Sequence, residues 1–526
     1  MADEIRIVGG ALLGDARMKK VQAGEHALLL VRWRGQLRVM SLECPHFGAE
    51  LHEGTLVDGH IRCPWHQSVF DALTGDLLEP PALDGLQCLS ARVEGEDILV
   101  GLPDAPIGQR TMPMAAPDHA DLRVFVILGT GAAGLAAAEA LRECGYTGRV
   151  MMVTREPHRP YDRTELSKQY LAKPGAPQPF VRTSEFYATH GIEVLTGREV
   201  RSVDVAARVI ACHDGLQIRY DKLLLATGAR PRRLDVPGQE LSGVMLLRSL
   251  EDSTRLRESV RPGGRAVVIG SSFIGMEVAA SINGRGVLVT VVGLEHEPFE
   301  KSMGPQIGAM YRRVHEEAGN LFRMGRRVDR FEGRDGRLRA VVLDDGERID
   351  ADIAVVGVGV EPVSDYLHGL PINSDGSLNV DEHLQAAPDV YVAGDLACYV
   401  DWRTNQRVRI EHWRLAEQLG RVGAANMAGR PTQYRAVPFF WTNQLKLNVR
   451  YVGFAKRWDR IEFDGSTEGR DFVAWYISEG KVHAAAGCKR DRAMDLVAEV
   501  MRREGLVDLA RMREAVGQLM ANQAPA

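Results

Sequence analysis

The sequence predicts a multidomain chain: a small β-rich N-terminal unit, an α/β region built from two similar parallel-sheet units, and an α+β C-terminal part. Three observations predict it. Apolar and polar residues alternate in His26–Trp33 and again in Gln36–Leu42 around an Arg34-Gly35 turn, the pattern of a hairpin. A short β-branched run, a Gly-containing turn and a helical stretch then follow one another twice, from Arg123 and from Arg265. Between these regions, Pro103–Asp118 is rich in proline without a period and reads as a linker. The last part, from about Val437, mixes strand-like runs such as Phe472–Ile477 with amphipathic segments at Arg490–Met501 and Leu506–Met520.

The bulk numbers support this division and exclude several classes of function. A chain of 526 residues exceeds what one hydrophobic core serves. A net charge of -5 and the lack of a long Lys/Arg run argue against nucleic acid. The start, Met1–Arg6, lacks a signal-peptide pattern, and the most apolar stretch, Val124–Leu141, carries Glu139 and three spaced glycines. No membrane association is therefore expected, and a cytoplasmic location is. Seven cysteines without a C-x-x-C pair suit neither a disulfide framework nor dithiol exchange. Cys88, Cys144, Cys212, Cys398 and Cys488 are expected to be buried, inert thiols.

The other two cysteines belong to the strongest local signal. Cys44-Pro-His46 is followed after 16 residues by Cys63-Pro-Trp-His66, so each loop offers one thiolate and one imidazole. A Rieske centre needs two Cys on one iron and two His on the other. The same residue types also serve a structural zinc site, although zinc fingers usually place both cysteines before both histidines, whereas here they alternate.

Gly129-x-Gly131-x-x-Gly134 follows a strand and opens a helix at Leu135–Glu143, where backbone N–H groups can reach a pyrophosphate. Glu156, 22 residues past Gly134, stands near the distance for a ribose-binding acid, or else is an ordinary solvated charge. Val267–Glu277 repeats the turn with Gly270 and Gly275, carrying Ser271 and Ser272 where further glycines are common; a plain sheet-helix packing turn is the alternative.

Further segments carry a family resemblance. Cys-Pro-His-Phe-Gly48, Cys63–Gly75 and Pro80-Pro81 resemble the Rieske ferredoxins, and their loops lack the extra cysteines that pair in respiratory Rieske proteins. Pro160–Lys168, Leu225–Ala229 and Val390–Asp395 resemble FAD-dependent ferredoxin reductases and apoptosis-inducing-factor-like flavoproteins over nearly all of 121–520. The chain thus resembles a Rieske domain fused to a two-dinucleotide-binding-domain flavoprotein. The implied boundaries are 1–102 for the Rieske 2Fe-2S domain and 103–120 for the linker. FAD binding takes 121–239 and 362–436, NAD(P)H binding 240–361, and the C-terminal reductase domain 437–526.

The resemblance also implies site residues. Cys44, His46, Cys63 and His66 would hold the 2Fe-2S cluster. Arg163 and Lys168 would lie along FAD, with Thr227 and Gly228 in the Ala-Thr-Gly turn, and the Asp395 carboxylate beside Gly394 would contact the ribityl chain. Thr164-Glu165 replaces a Pro-Pro common in relatives. Glu277 would sit beside the flavin and pair with Lys168, and Gly359 is also expected at the cofactor. Arg409–Trp413, with Glu411, His412 and Trp413, and Phe439–Gln444, with Trp441, match segments that approach the isoalloxazine and the nicotinamide; a core role is the alternative for Trp441. Lys168, Glu277 and Trp441 are the expected catalytic residues. Gly293 stands where NADH-preferring relatives carry an acid and Glu295 follows two residues on, so NADH is favoured with NADPH possible.

The implied activity is that of an NAD(P)H-dependent FAD oxidoreductase. It would pass electrons to its own Rieske cluster and on to an external acceptor protein such as a terminal oxygenase. The alternative is a redox-sensing or interaction flavoprotein of the apoptosis-inducing-factor type. A self-contained oxygenase is disfavoured, because outside the Rieske segment no two histidines lie within ten residues of each other. Oligomeric state is left open.

Overall fold

The computed structural model describes residues 4–523. Two sheets build the N-terminal unit. A six-stranded antiparallel sheet, including His26–Trp33 and Gln36–Ser41, carries a four-stranded sheet of Thr55–Val57, His60–Arg62, Val69–Asp71 and Leu77–Glu79. The Arg34-Gly35 turn has φ of 50° and 73°, both left-handed, which matches its two-residue hairpin. The proline-rich connection is tied back to this unit, because Gln109–Arg110 pairs with Gly85–Leu86.

Two parallel sheets follow. The first orders its strands Ile192–Leu195, Arg149–Val153, Val124–Leu128, Lys222–Leu225 and Val390–Val392, with Gln385–Ala387 added antiparallel. The second orders Val244–Leu246, Ile353–Val356, Arg265–Ile269, Leu288–Gly293 and Leu321–Met324. Their central strands are buried apolar runs, as a sheet covered on both faces requires, while the edge strands are only partly covered. The chain crosses between the two units along Ala229–Pro231 and returns along Val360–Pro362, which pair antiparallel.

The C-terminal part is a five-stranded antiparallel sheet, Phe439–Gln444 to Lys481–Cys488, backed by the helices Asp491–Glu504 and Leu509–Asn522. Both helices start and end slightly later than the periodicity suggested, and the first dinucleotide helix starts earlier, at Ala132. Gly134 therefore lies inside that helix rather than before it.

One expectation holds only in part. Cys88 is exposed, and Cys144 and Cys398 are half-buried, leaving only Cys212 and Cys488 of the five fully inside. Cys88 opens Cys88–Glu94, a strand whose residues are exposed almost throughout, and its thiol donates to the Thr74 carbonyl at 3.2 Å. No described helix is long and apolar enough to cross a membrane.

Candidate functional site

The two Cys/His loops are two copies of one turn. The Cys44 N–H donates to Ala49 O and the Gly48 N–H to Cys44 O; in the second loop Cys63 donates to Ser68 O and Gln67 to Cys63 O, all at 2.9 to 3.1 Å. The fifth residue of each loop is left-handed, with φ of 77° at Gly48 and 60° at Gln67. This repeat brings the like donors of the two loops together. The Cys44 and Cys63 thiols hydrogen-bond each other, and the Nδ1 atoms of His46 and His66 are 3.0 Å apart.

The pairing decides between zinc and a cluster. One tetrahedral zinc ion 2.0 to 2.3 Å from each ligand brings all donors within about 4 Å of one another. Among the described residues the only trio of such donors lying within 4.8 Å is Glu50, His52 and Glu53, where Glu50 is already paired with Lys20 at 2.7 Å. The sulfur pair and the nitrogen pair therefore stand apart, which fits two irons with unlike ligands. Burial pushes His46 down to about 3 and His66 well below its ordinary value, so both imidazoles are neutral, the form that ligates metal. Burial drives the Cys63 thiol up, while its hydrogen bond to Cys44 holds the latter down.

The two glycine turns also share one geometry. Gly129 and Gly270 both have φ of 109°, and a Cβ on either would lie 2.2 or 2.1 Å from the carbonyl of the next strand's exit, Ala226 or Gly357. A Cβ on Gly134 or Gly275 would lie 2.0 Å from the O of Gly129 or Gly270. Only glycine fits at these positions. The helices they open, Ala132–Glu143 and Phe273–Asn283, have no side-chain cap, so their first N–H groups remain available to an anion.

A cavity of about 680 Å³ lies where the two units and the C-terminal sheet meet. Of the expected residues, Gly131, Arg163, Lys168, Gly228, Glu277 and Gly359 line it, as do Gly394, Asp395, Glu411, His412, Trp413 and Trp441. Gly129, Gly134, Gly270 and Gly275 sit beneath it in the turns. Thr227 turns away, donating to Val363 O at 3.0 Å, and Glu156 reaches the site through Arg163. The unblocked helix start at Gly131 and a flanking Arg163 suit a pyrophosphate, which is what FAD presents.

Several charges around this cavity are paired. The Lys168 Nζ is 3.0 Å from Glu277, which also accepts from the Ser167 hydroxyl at 2.6 Å and the Thr442 hydroxyl at 3.1 Å. Arg163 and the Tyr161 hydroxyl donate to Glu156 at 2.7 and 2.5 Å and, against its burial, hold it below the ordinary carboxylate range. Arg248 contacts Asp395 at 3.2 Å. Burial lowers His412 to about 4 and raises Glu411, whose partner is Arg409. Glu165 is pushed up to about 7, first by burial and then by the Asp162 charge.

Trp441 connects the two centres. It lines the cavity, and its ring centroid is 4.2 Å from that of His66 and 6.1 Å from that of His46. The exposed rings of Phe47 and Trp65 adjoin the same histidines. Sequence reasoning missed Arg248, Ser167 and Phe273 in the wall and the two buried arginines Arg414 and Arg450. Arg414 left one trace, a charge immediately after Trp413 in a helix that is otherwise buried there.

Comparisons with known proteins agree with this geometry. The model of the pyridine nucleotide-disulphide oxidoreductases matches residues 123–420, the Rieske [2Fe-2S] domain 10–90 and the reductase C-terminal domain 439–521. Apoptosis-inducing factor 3 of Homo sapiens is 36% identical over 500 residues, covering 93% of this chain and 82% of the relative. The ferredoxin–NAD(+) reductase component of the biphenyl dioxygenase system of Paraburkholderia xenovorans is 33% identical over 379 residues, 72% of this chain and 92% of its own. Among solved structures, the covalent putidaredoxin reductase–putidaredoxin complex matches with a TM-score of 0.72 at 30% identity, over 77% of this chain and all of that one. The Rhodopseudomonas palustris ferredoxin reductase for the CYP199A2 system matches equally, at 31% identity over 76% of this chain and all of its own. The chain belongs to the pyridine nucleotide-disulphide oxidoreductases, as an NAD(P)H oxidoreductase of ferredoxin-reductase type with FAD and a Rieske 2Fe-2S domain in one polypeptide.

Proposed function

We propose that the protein takes electrons from NADH onto FAD, passes them to its own Rieske cluster, and delivers them to an external acceptor such as an oxygenase component. The observation that carries this reading is Trp441, shared between the cavity wall and the His66 ring. FAD supplies a site that accepts a hydride and releases electrons singly, and a 2Fe-2S cluster takes one at a time.

The chain's residues prepare that exchange. The helix start at Gly131 and the Arg163 guanidinium bind a pyrophosphate, and Asp395 orients a polyol chain. The Lys168–Glu277 pair, fixed by Ser167 and Thr442, holds a cation at the cavity wall with its counter-charge buried. Neutral His412 stacks on Phe440 with centroids 4.4 Å apart, and Phe440 and Trp441 give the cavity an apolar, water-excluding side. Glu295 is the acid that can take an adenosine ribose: it stands near Ser271 of the second glycine turn, two residues past the strand end at Gly293, which supports NADH.

A second reading has one observation in its favour. The human relative that spans both the Rieske and reductase segments is named apoptosis-inducing factor 3, whereas the biphenyl reductase component covers only 72% of this chain. A redox-sensing or interaction role predicts slow turnover with every one-electron acceptor. An anaerobic NADH titration followed by absorption and EPR tests the first reading. It predicts flavin bleaching together with a reduced-Rieske signal; bleaching with a cluster that stays oxidised at excess NADH contradicts it.

A further inference from the structure

We propose that Arg414 and Arg450 form a clamp that fixes the second cluster loop on the flavin module, so that His66 is held on Trp441 during turnover instead of the Rieske unit swinging on its linker. The proposal rests on the reading given above and adds the residues that position the relay.

The clamp is built from backbone contacts around one ligand. Arg450 is 6% exposed, and its Nε donates to Pro64 O at 3.0 Å and Trp65 O at 3.1 Å. Arg414 is 1% exposed; its Nε donates to Pro80 O at 2.8 Å and its Nη2 to Gln67 O at 3.0 Å. The carbonyls of Pro64, Trp65 and Gln67, on both sides of His66, are thus all held by guanidinium groups from the reductase part. A guanidinium offers five donors in a rigid fork, which lets one side chain span two carbonyls and a carboxylate.

Each arginine is anchored to an element that carries cavity residues. Arg450 is the cross-strand partner of Trp441, and its other end pairs with Asp491 at 2.5 Å. Arg414 follows Trp413 in the same helix turn, pairs with Glu79 at 2.5 Å, and lies over the Phe439 ring, which stacks on Trp441. Gln418, one turn later, donates to the same Glu79 oxygen at 3.0 Å. Buried charges are costly to separate once desolvated, so this contact has the character of a domain interior and not of a transient encounter.

The first loop lacks such a fixture: among the described residues no side chain of the reductase part hydrogen-bonds Pro45, His46 or Phe47. His46 and His66 are both half-buried, each beside an exposed ring, Phe47 or Trp65, but only the His66 loop is held by these arginines. Arg414 and Arg450 are positioning residues, acting on the cluster through the loop backbone.

The test uses the full holoprotein. Arg414→Lys and Arg450→Lys keep the charge but cannot serve all the carbonyls at once. After mixing with NADH, flavin bleaching keeps its wild-type rate in both. Cluster reduction, read by freeze-quench EPR, slows by about ten-fold or more, the scale on which small misplacements act. The g-values after dithionite reduction stay as in the wild type, which a general loss of structure would not allow. Cluster reduction within two-fold of wild type in loaded variants overturns the clamp. Absence of cluster reduction in the wild type itself defeats the functional reading instead. Should neither variant load its cofactors, the wild type still decides: a clamped unit reduces its cluster at a rate independent of added sucrose, whereas a rate that falls in proportion to viscosity shows a swinging unit.

Discussion

The two glycine turns have the same backbone and opposite surroundings. Around the first, every residue from Ala132 to Ala140 is buried, and the helix packs so closely on Trp413–Met427 that a Cβ on Gly420 would lie 2.1 Å from Ala133 O. Around the second, Ser272 and Ile274 in the first turn are exposed. One geometry thus serves two purposes: a covered turn suits a cofactor that stays, and an open one suits a cofactor that must enter and leave at every cycle. The difference lies in what packs over the turn and not in the turn itself.

A methyl group placed under each turn perturbs the two sites most strongly. Gly129→Ala and Gly270→Ala both force a Cβ into a carbonyl at a left-handed φ, a local cost of about 3 kcal/mol or more. The first is expected to purify without FAD, while the second retains FAD but is not bleached by NADH. Identical behaviour of the two, in flavin content and in NADH response, would remove the distinction.

Glu277 belongs to the second turn's helix but faces the first unit's Lys168, so it tests where the two sites meet. Glu277→Gln keeps the shape and leaves Lys168 without its counter-charge. NADH-driven bleaching is expected to slow by about 100-fold, equivalent to roughly 2.7 kcal/mol, with FAD content unchanged. Unaltered bleaching kinetics would assign the pair a purely structural part.

A smaller effect sharpens the reading of the open turn. A side chain at Gly293 would collide with Ser271, whose Oγ would lie 2.5 Å from its Cβ, so the ribose acid must come from elsewhere. Glu295 lies near Ser271 and pairs with Lys301 at 2.6 Å. Glu295→Gln should lower the NADH to NADPH ratio of kcat/KM by about ten-fold, roughly 1.4 kcal/mol. An unchanged ratio places cofactor choice on other residues.

Glu165 gives the smallest effect and a pH signature. Its value near 7 in the fold exceeds its ordinary value, so the folded state binds the proton more tightly than the unfolded chain does. Its contribution favours the fold below the ordinary carboxylate range and is lost as pH rises from there to about 7. Glu165→Gln should therefore raise the unfolding midpoint at pH 8 and leave it nearly unchanged at pH 4; a midpoint shift of the same size at both pH values contradicts this.

What the sequence made legible follows the same division. Both turns and the paired Cys/His loops were readable because each is a short run of residues whose spacing is itself the geometry, whereas the Trp441 segment was marked only by its resemblance to the family. The helix start at Ala132 was placed three residues late, since the alanines at 132 and 133 carry no cap signal to mark it. Arg414 and Arg450 reach Gln67 and Pro64 across 347 and 386 residues, and contacts at such separation leave no local period. Ser167 and Thr442 were invisible for the same reason: each matters only because Glu277 lies between them. Cys88 was misplaced because the tendency of thiols to be buried is outweighed by the exposed face of its strand.

On the proposed relay, electrons entering at the cavity reach the cluster of the same molecule. Freeze-quench EPR after rapid anaerobic mixing with NADH, repeated over a range of protein concentrations, tests it directly. The cluster signal is predicted to rise after flavin bleaching with a first-order constant that does not change with protein concentration. A rate that grows in proportion to concentration would show that the cluster is reduced by a neighbouring molecule, and the internal relay would be wrong.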